Sequence, residues 1–256
     1  MQVEQSIQRG VWSQIAVYVL SVKTFDDRIK SVRSQLDSLQ IPFQFVFRFD
    51  LVDFDRDPVT LSIKKDAPLS QKEVSLIAKH VESWRLGMVS GKPYVLVLED
   101  DFILAPNFLE QFHQLMQEIK NLGPGFLINL GGANARLPFS FFLNKAYFFR
   151  FRFETAEGYL SDRLALVRRL SWLDRHPVDL PADHLIRGID QEQDTPHFWP
   201  PDALLGQGSL YGLFASALDE RRSQRSRFLL RMSYLSKKFR RRIFPKFLAN
   251  LLRWAY

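Results

Sequence analysis

Along the first half of the chain, short unbroken apolar runs alternate with longer stretches in which apolar residues return every third or fourth position. Ile15, Ala16, Val17, Tyr18, Val19 and Leu20 predict a first strand. Ile29, Val32, Leu36 and Leu39 then keep helical spacing until Ile41-Pro42 stops the helix. Phe43, Phe45, Phe47 and Phe49 alternate with Gln44, Val46, Arg48 and Asp50, which predicts a second strand. A loop rich in Asp and Pro leads to a helix over about 71–88, an apolar strand at 94–98, a helix after Pro106, and a short buried strand at 126–130 ending in Gly131-Gly132. This β-α-β alternation predicts a three-layer α/β domain with a mostly parallel central sheet.

Beyond Gly132 the pattern changes. Residues 139–153 carry eight aromatics with poor helical period, which predicts antiparallel strands beside the main sheet. A helix is expected over about 161–173, and the five prolines of 176–208 predict irregular structure near a site. The reading is therefore one domain over 1–219 followed by a tail, 220–256.

Chemistry first appears where the strand at 94–98 (Tyr94, Val95, Leu96, Val97, Leu98) runs straight into Glu99, Asp100 and Asp101. Ligands of parallel sheets collect beyond the carboxyl ends of the strands. Two carboxylates about 4 Å apart repel by roughly 4 kcal/mol at an effective dielectric of 20, so three together favour a cation or a proton. All-oxygen ligation suits Mg, Mn or Ca and leaves coordination positions for a phosphorylated substrate. The competing reading is a solvated turn, or an Asp capping the next helix.

Composition narrows the classes. The chain has no cysteine, which excludes disulfides, a thiolate zinc site and a cysteine nucleophile. The first residues show no secretory signal, and no stretch reaches the roughly 18 apolar residues of a membrane span, so a cytoplasmic protein is expected. The net charge of +7 is unevenly placed: twelve of the 35 Lys and Arg lie in 221–256 and none of the 28 acidic residues does. The first 220 residues thus carry 23 basic and 28 acidic side chains, a net of −5, which argues against nucleic acid as a partner. In the tail, Phe228, Met232, Leu235 and Phe239 form an apolar stripe, and Phe247, Leu248, Leu251, Leu252 and Trp254 form a second cluster after Pro245. Such a segment fits the anionic inner face of the cytoplasmic membrane, or else a terminal helix docked on its own core.

In this order the motifs resemble glycosyltransferase family 25, the lipooligosaccharide galactosyltransferases and their relatives. The resemblance rests on Val17-Tyr18-Val19-Leu20 with Asp27-Arg28, on Leu69-Ser70-Gln71-Lys72-Glu73 leading to His80 and Trp84, and on Leu98-Glu99-Asp100-Asp101. Downstream it takes in Thr155 with Gly158-Tyr159-Leu160-Ser161, then Leu180-Pro181-Ala182-Asp183, then Pro200 through Gln207 and Ser209. Departures stand at Ser21, Lys79 and Ala182, where the family usually has Asn, Ser and Val.

The resemblance implies a GT-A-like nucleotide-diphospho-sugar transferase fold. It also implies transfer of a sugar, galactose from UDP-galactose, to a glycolipid or oligosaccharide acceptor with inversion. A Mn²⁺ or Mg²⁺ ion would be held by Glu99, Asp100 and Asp101, and Arg28, Asp100 and Gln207 would meet the donor. Inversion needs a base beside the attacking hydroxyl, for which Asp183 is the first candidate and Asp162 and Asp202 are alternatives. Glu73 and His80 lie on one helical stripe with Trp84 and are read as site residues. Each has a plainer alternative: Ser70-x-x-Glu73 also fits a capping box, and His80 a buried histidine with a partner. Two other classes stay open, a metal-dependent nucleotidyltransferase or phosphohydrolase, and a non-catalytic membrane-associated binding protein.

Overall fold

The computed structural model describes residues 10–132, 135–214 and 227–255, and every structural statement below concerns these. Two neighbouring strands show why the centre is a covered sheet. In β1 (Ile15–Leu20), Ile15, Val17 and Val19 face one apolar cluster, while Ala16, Tyr18 and Leu20 face another. In β3 (Tyr94–Glu99), Leu96 and Leu98 join the first cluster, and Val95 and Val97 join the second. A strand with both faces against apolar clusters favours apolar side chains at successive positions, hence the unbroken runs.

The first face is covered by α1 (Asp26–Ser38) through Val32 and Leu36, and by α3 (Phe108–Glu118) through Phe108, Phe112 and Leu115. The second is covered by α2 (Gln71–Val89), α5 (Arg163–Leu173) and α6 (Ala182–Glu192), which bring Ile77, Val81, Trp84, Leu166, Leu185 and Ile189. Phe112 is fully buried and stacks on Trp12 at 4.9 Å, so Phe112→Ala would cost about 3–5 kcal/mol.

Seven strands form the main sheet in the order β2-β1-β3-β7-β5-β8-β6. Here β2 is Gln44–Val46, β5 Leu127–Asn129, β6 Phe149–Arg150, β7 Gly158–Asp162 and β8 His197–Trp199. Five strands share one direction; β7, between β3 and β5, and β6 at the edge run against them. A small antiparallel pair joins β4 (Phe102–Leu104) to β9 (Leu205–Gln207). The mixed α/β architecture with a large, mostly parallel central sheet is the one expected and fits a GT-A-like fold.

Local expectations need four corrections. The alternation at 43–49 yields a strand only over Gln44–Val46, because the chain turns at Phe49, whose φ of 66° is left-handed. The aromatic segment is not a pair of strands: Phe139–Leu143 is the short helix α4, and only Phe149–Arg150 pairs, with β8. Residue 161 does not begin a helix but lies in β7, and Asp162 caps α5 by accepting from the Ala165 amide at 3.0 Å. The proline-rich stretch 176–208 holds α6, β8 and β9 rather than irregular chain.

The tail forms α7 (Arg227–Lys238), a π-helical turn (Phe239–Ile243) and α8 (Phe244–Ala255). It docks on the body: Ala249 is buried among Phe141, Phe142 and Trp199, and Tyr234 Oη donates to Tyr211 Oη at 2.7 Å. The Arg242 guanidinium lies 5.4 Å from the Phe141 ring centroid and donates to the Gly132 carbonyl at 2.8 Å. The side chains of Phe228 and Trp254 lie outside the described residues.

Candidate active site

Parallel strands deliver their carboxyl ends to one edge of the sheet, and the reversed β7 delivers its amino end there. Leu20 is in register with Glu99, Leu98 with Gly158, and Asn129 with Tyr159. Ser21, the Glu99-Asp100-Asp101 triplet, Glu157 and Gly131-Gly132 therefore meet at that edge. Backbone hydrogen bonds fix the junction: the Asp100 amide donates to the Leu20 carbonyl at 3.1 Å, and the Glu99 amide to the Glu157 carbonyl at 3.1 Å.

A cleft of about 430 Å³ opens over this edge. Its acidic lining consists of Glu73, Glu99, Glu154, Glu157 and Asp183; Gln207 joins them, and Lys237 and Arg241 of the tail supply positive charge. The triplet divides by role. Glu99 faces the cleft, and burial pushes its carboxyl up to about 8, with Asp101, Asp100 and Asp183 adding to the rise. Asp100 is buried and held by Arg28 Nη1 at 2.6 Å and Ser21 Oγ at 2.7 Å. Its carboxyl is raised by burial, against the opposing pull of Arg28. Asp101 is also buried; its Oδ2 accepts weakly from the Ser209 amide at 3.4 Å, and its Oδ1 has no hydrogen-bond partner.

Glu157 belongs with Glu99 and is absent from the residues that the sequence singled out. Burial pushes it up to about 7, opposed by the Gly132 amide, which donates to its carboxylate. Two glycines permit this approach: Gly132 adopts φ 82°, and a Cβ on Gly131 would strike the Glu157 carboxylate. The signal available in the sequence was Glu154 and Glu157 just ahead of the Tyr159 segment. Glu154 is ion-paired with Arg187.

The helix residues separate as well. Ser70 and Glu73 form the capping box, with Glu73 Oε2 accepting from the Ser70 amide at 2.7 Å, and Glu73 also lines the cleft. His80 stands behind the lining, 1% exposed, with Nδ1 3.0 Å from Tyr159 Oη. Trp84 Nε1 donates to the same hydroxyl at 2.8 Å. The other ring nitrogen of His80 is Nε2. That nitrogen has no hydrogen-bond partner and lies 3.9 Å from Glu99 Oε1. Burial lowers His80 to about 3, so the ring is neutral.

Asp183 lies in the cleft, in the first turn of α6 rather than in the loop expected, with Oδ1 accepting from the His184 amide at 2.9 Å. The other two candidate bases are engaged elsewhere: Asp162 receives the amides of Gly125, Phe126 and Ala165, and Asp202 pairs with Lys246 at 2.6 Å. Arg28 stands behind the lining, between Asp100 and the rings of Phe25 and Phe214. Lys79, one of the departures noted above, is buried and donates to Asp50 Oδ1 at 2.5 Å and to the carbonyls of Ser21 and Arg48 at 2.9 Å, tying the ends of β1 and β2 together.

Among the described residues no three His, Asp or Glu side chains converge on one point as a closed cation site. The donor set nevertheless suits an oxygen-preferring cation with open positions. Asp101 Oδ1 is buried without a partner, and Glu99 and Glu157 are raised by burial, with neighbouring carboxylates adding to the rise. Asp100, satisfied by Arg28, fits that role less well than its two neighbours.

No curated protein matches the chain at a significant level. Residues 14–156 match the family described as glycosyltransferase family 25 (LPS biosynthesis protein). The match spans more than half of the 256 residues, including β1, α2, the acidic triplet and Glu154, and stops short of Glu157, Asp183 and Gln207. The chain belongs to glycosyltransferase family 25.

Proposed function

We propose that the cleft transfers galactose from UDP-galactose to an LPS-type oligosaccharide, with inversion at the anomeric carbon. The acceptor hydroxyl oxygen forms the new bond to the anomeric carbon as the bond to the diphosphate oxygen breaks. The hydroxyl proton passes to Asp183, and the negative charge departs on UDP. Lys237 and Arg241 offer that charge fixed positive partners in the same cleft. A Mn²⁺ or Mg²⁺ ion would be held by Asp101 and Glu99 and would supply Lewis-acid stabilisation of the leaving group. Gln207 orients the donor by hydrogen bonding, and Arg28 acts through Asp100 by holding the turn after β3.

The observation that carries this reading is that Glu99 and Asp183, from elements on different sides, line one cleft of about 430 Å³. That volume lies within the range of small-ligand pockets. The test is to incubate the full chain with Mn²⁺ and a panel of nucleotide sugars, and to follow nucleoside diphosphate release with and without an oligosaccharide acceptor. Selective slow hydrolysis of UDP-galactose, accelerated by acceptor and abolished by chelator, is expected. Consumption of none of the panel would overturn the reading; consumption of a different donor would correct the sugar, and turnover in chelator would remove the metal.

A further inference from the structure

The tail has two opposite faces, and the docking described above uses one of them. Tyr234, Lys237 and Arg241 follow one side of the helical path and face Tyr211 and the cleft. Met232, Leu235, Phe239 and Ile243 lie about half a turn away at 3.6 residues per turn. The stripe continues through Phe247 and Leu251, and all six of these apolar side chains are between 47 and 64% exposed. A run of large apolar groups this long, left uncovered by the body, marks an interaction surface. Its chemistry names the partner: Arg231, Lys238 and Arg240 border it, and 221–256 contain twelve Lys or Arg and no acid. No helix among the described residues is long and apolar enough to cross a membrane.

We infer that α7, the π-helical turn and α8 form one in-plane element that seats on an anionic lipid bilayer through this outward stripe, while the inner face of α7 and the turn walls the cleft. A polybasic amphipathic helix buries its apolar face at the headgroup boundary, and its cations meet anionic lipid. Because Lys237 and Arg241 lie on the inner side of the same helices, seating them brings the cleft mouth to the lipid surface. A lipid-borne acceptor then reaches the carboxylates without leaving the bilayer. This last clause rests on the glycosyltransferase reading; the surface itself does not.

Flotation of the full chain with vesicles tests the surface with no recourse to turnover. Partitioning onto phosphatidylcholine vesicles containing about a third phosphatidylglycerol is expected to exceed that onto pure phosphatidylcholine at least tenfold, and to fall with salt. The double variant Phe247→Glu/Leu251→Glu, checked for an unchanged melting temperature, is expected to lose about tenfold of the binding. The variant Arg231→Gln/Arg240→Gln is expected to lose the preference for anionic lipid, and free glycerol phosphate to displace nothing. Equal binding of wild type and both variants, or no binding by wild type, overturns the inference. So does concentration-dependent dimerisation in sedimentation that hides the stripe without vesicle binding.

Discussion

His80 Nε2 lies 3.9 Å from Glu99 Oε1, while the Tyr159 hydroxyl, 3.0 Å from Nδ1, holds the far side of the ring. The relation comes from two elements in register: α2 carries His80 and Trp84 one helical turn apart, and β7 places the Tyr159 hydroxyl between them. Beneath Tyr159, Arg169 is fully buried in a bidentate pair with Asp190 at 2.6 and 2.8 Å, so the base of the site is rigid. Burial keeps this histidine neutral, with its Nε2 beyond hydrogen-bond reach of Glu99.

Removing the hydroxyl should strand both of its partners. Tyr159→Phe leaves Trp84 Nε1 and His80 Nδ1 buried without a hydrogen bond, at about 1–3 kcal/mol each. Chemical denaturation should show a loss in that range with an unchanged dependence on denaturant; a loss below about 0.5 kcal/mol would contradict the network.

Glu99 gives a pH signature with a definite sign. Its carboxyl titrates at about 8 in the folded chain against an ordinary 4.5, so the folded state binds more protons within that window. Its contribution is fully present below about pH 4.5 and is lost as pH rises through 8. Glu99→Gln should be more stable than wild type at pH 8.5 by on the order of 2 kcal/mol, roughly 4–8 °C in Tm, with the difference vanishing near pH 4.5. Mn²⁺ at pH 8.5 should raise the Tm of wild type and leave that of Glu99→Gln nearly unchanged. Scanning calorimetry across pH checks both statements. The ionisation of His80 works in the opposite direction: lowered to about 3, it costs stability as pH falls below 6.5.

Arg28 and Asp100 form a largely buried pair, with side chains 12 and 6% exposed. Removing the guanidinium leaves the buried Asp100 carboxylate without its ion partner, so Arg28→Met should cost about 3–5 kcal/mol, and Asp100→Asn should also destabilise by removing the pair from the other end. The double variant should cost less than the two losses combined, by at least 1 kcal/mol in a double-mutant cycle. Additive losses would show that Asp100 is stabilised by something other than Arg28.

How much of this was legible in the sequence depended on whether burial showed as hydropathy. β1 and residues 94–98 of β3 form unbroken apolar or aromatic runs and are readable, and with them the edge where the acids stand. β7 is not. Two of its five residues are Ser161 and Asp162, buried because Arg169 donates to one and the amides of Gly125 and Phe126 donate to the other. Long-range polar satisfaction leaves no periodic trace, so the reversed strand and the Glu157 delivered by it were missed. α6 was hidden differently. Leu185, Ile186 and Ile189 do keep helical spacing, but the surrounding prolines and Gly188 read as loop. The acidic triplet was found as a group, yet only the fold separates Glu99 in the cleft from Asp100 on Arg28.

The central claim is that Asp183 and the Glu99 cluster act on one substrate in one cleft. It is tested most directly by measuring, for Asp183→Asn, both UDP affinity in Mn²⁺ by calorimetry and the rate of labelled galactose transfer to an LPS-type oligosaccharide. For Asp183→Asn the expected result is a Kd within about twofold of wild type and a transfer rate lower by about 10²-fold or more. Wild-type transfer by Asp183→Asn, with the same UDP affinity, would contradict it.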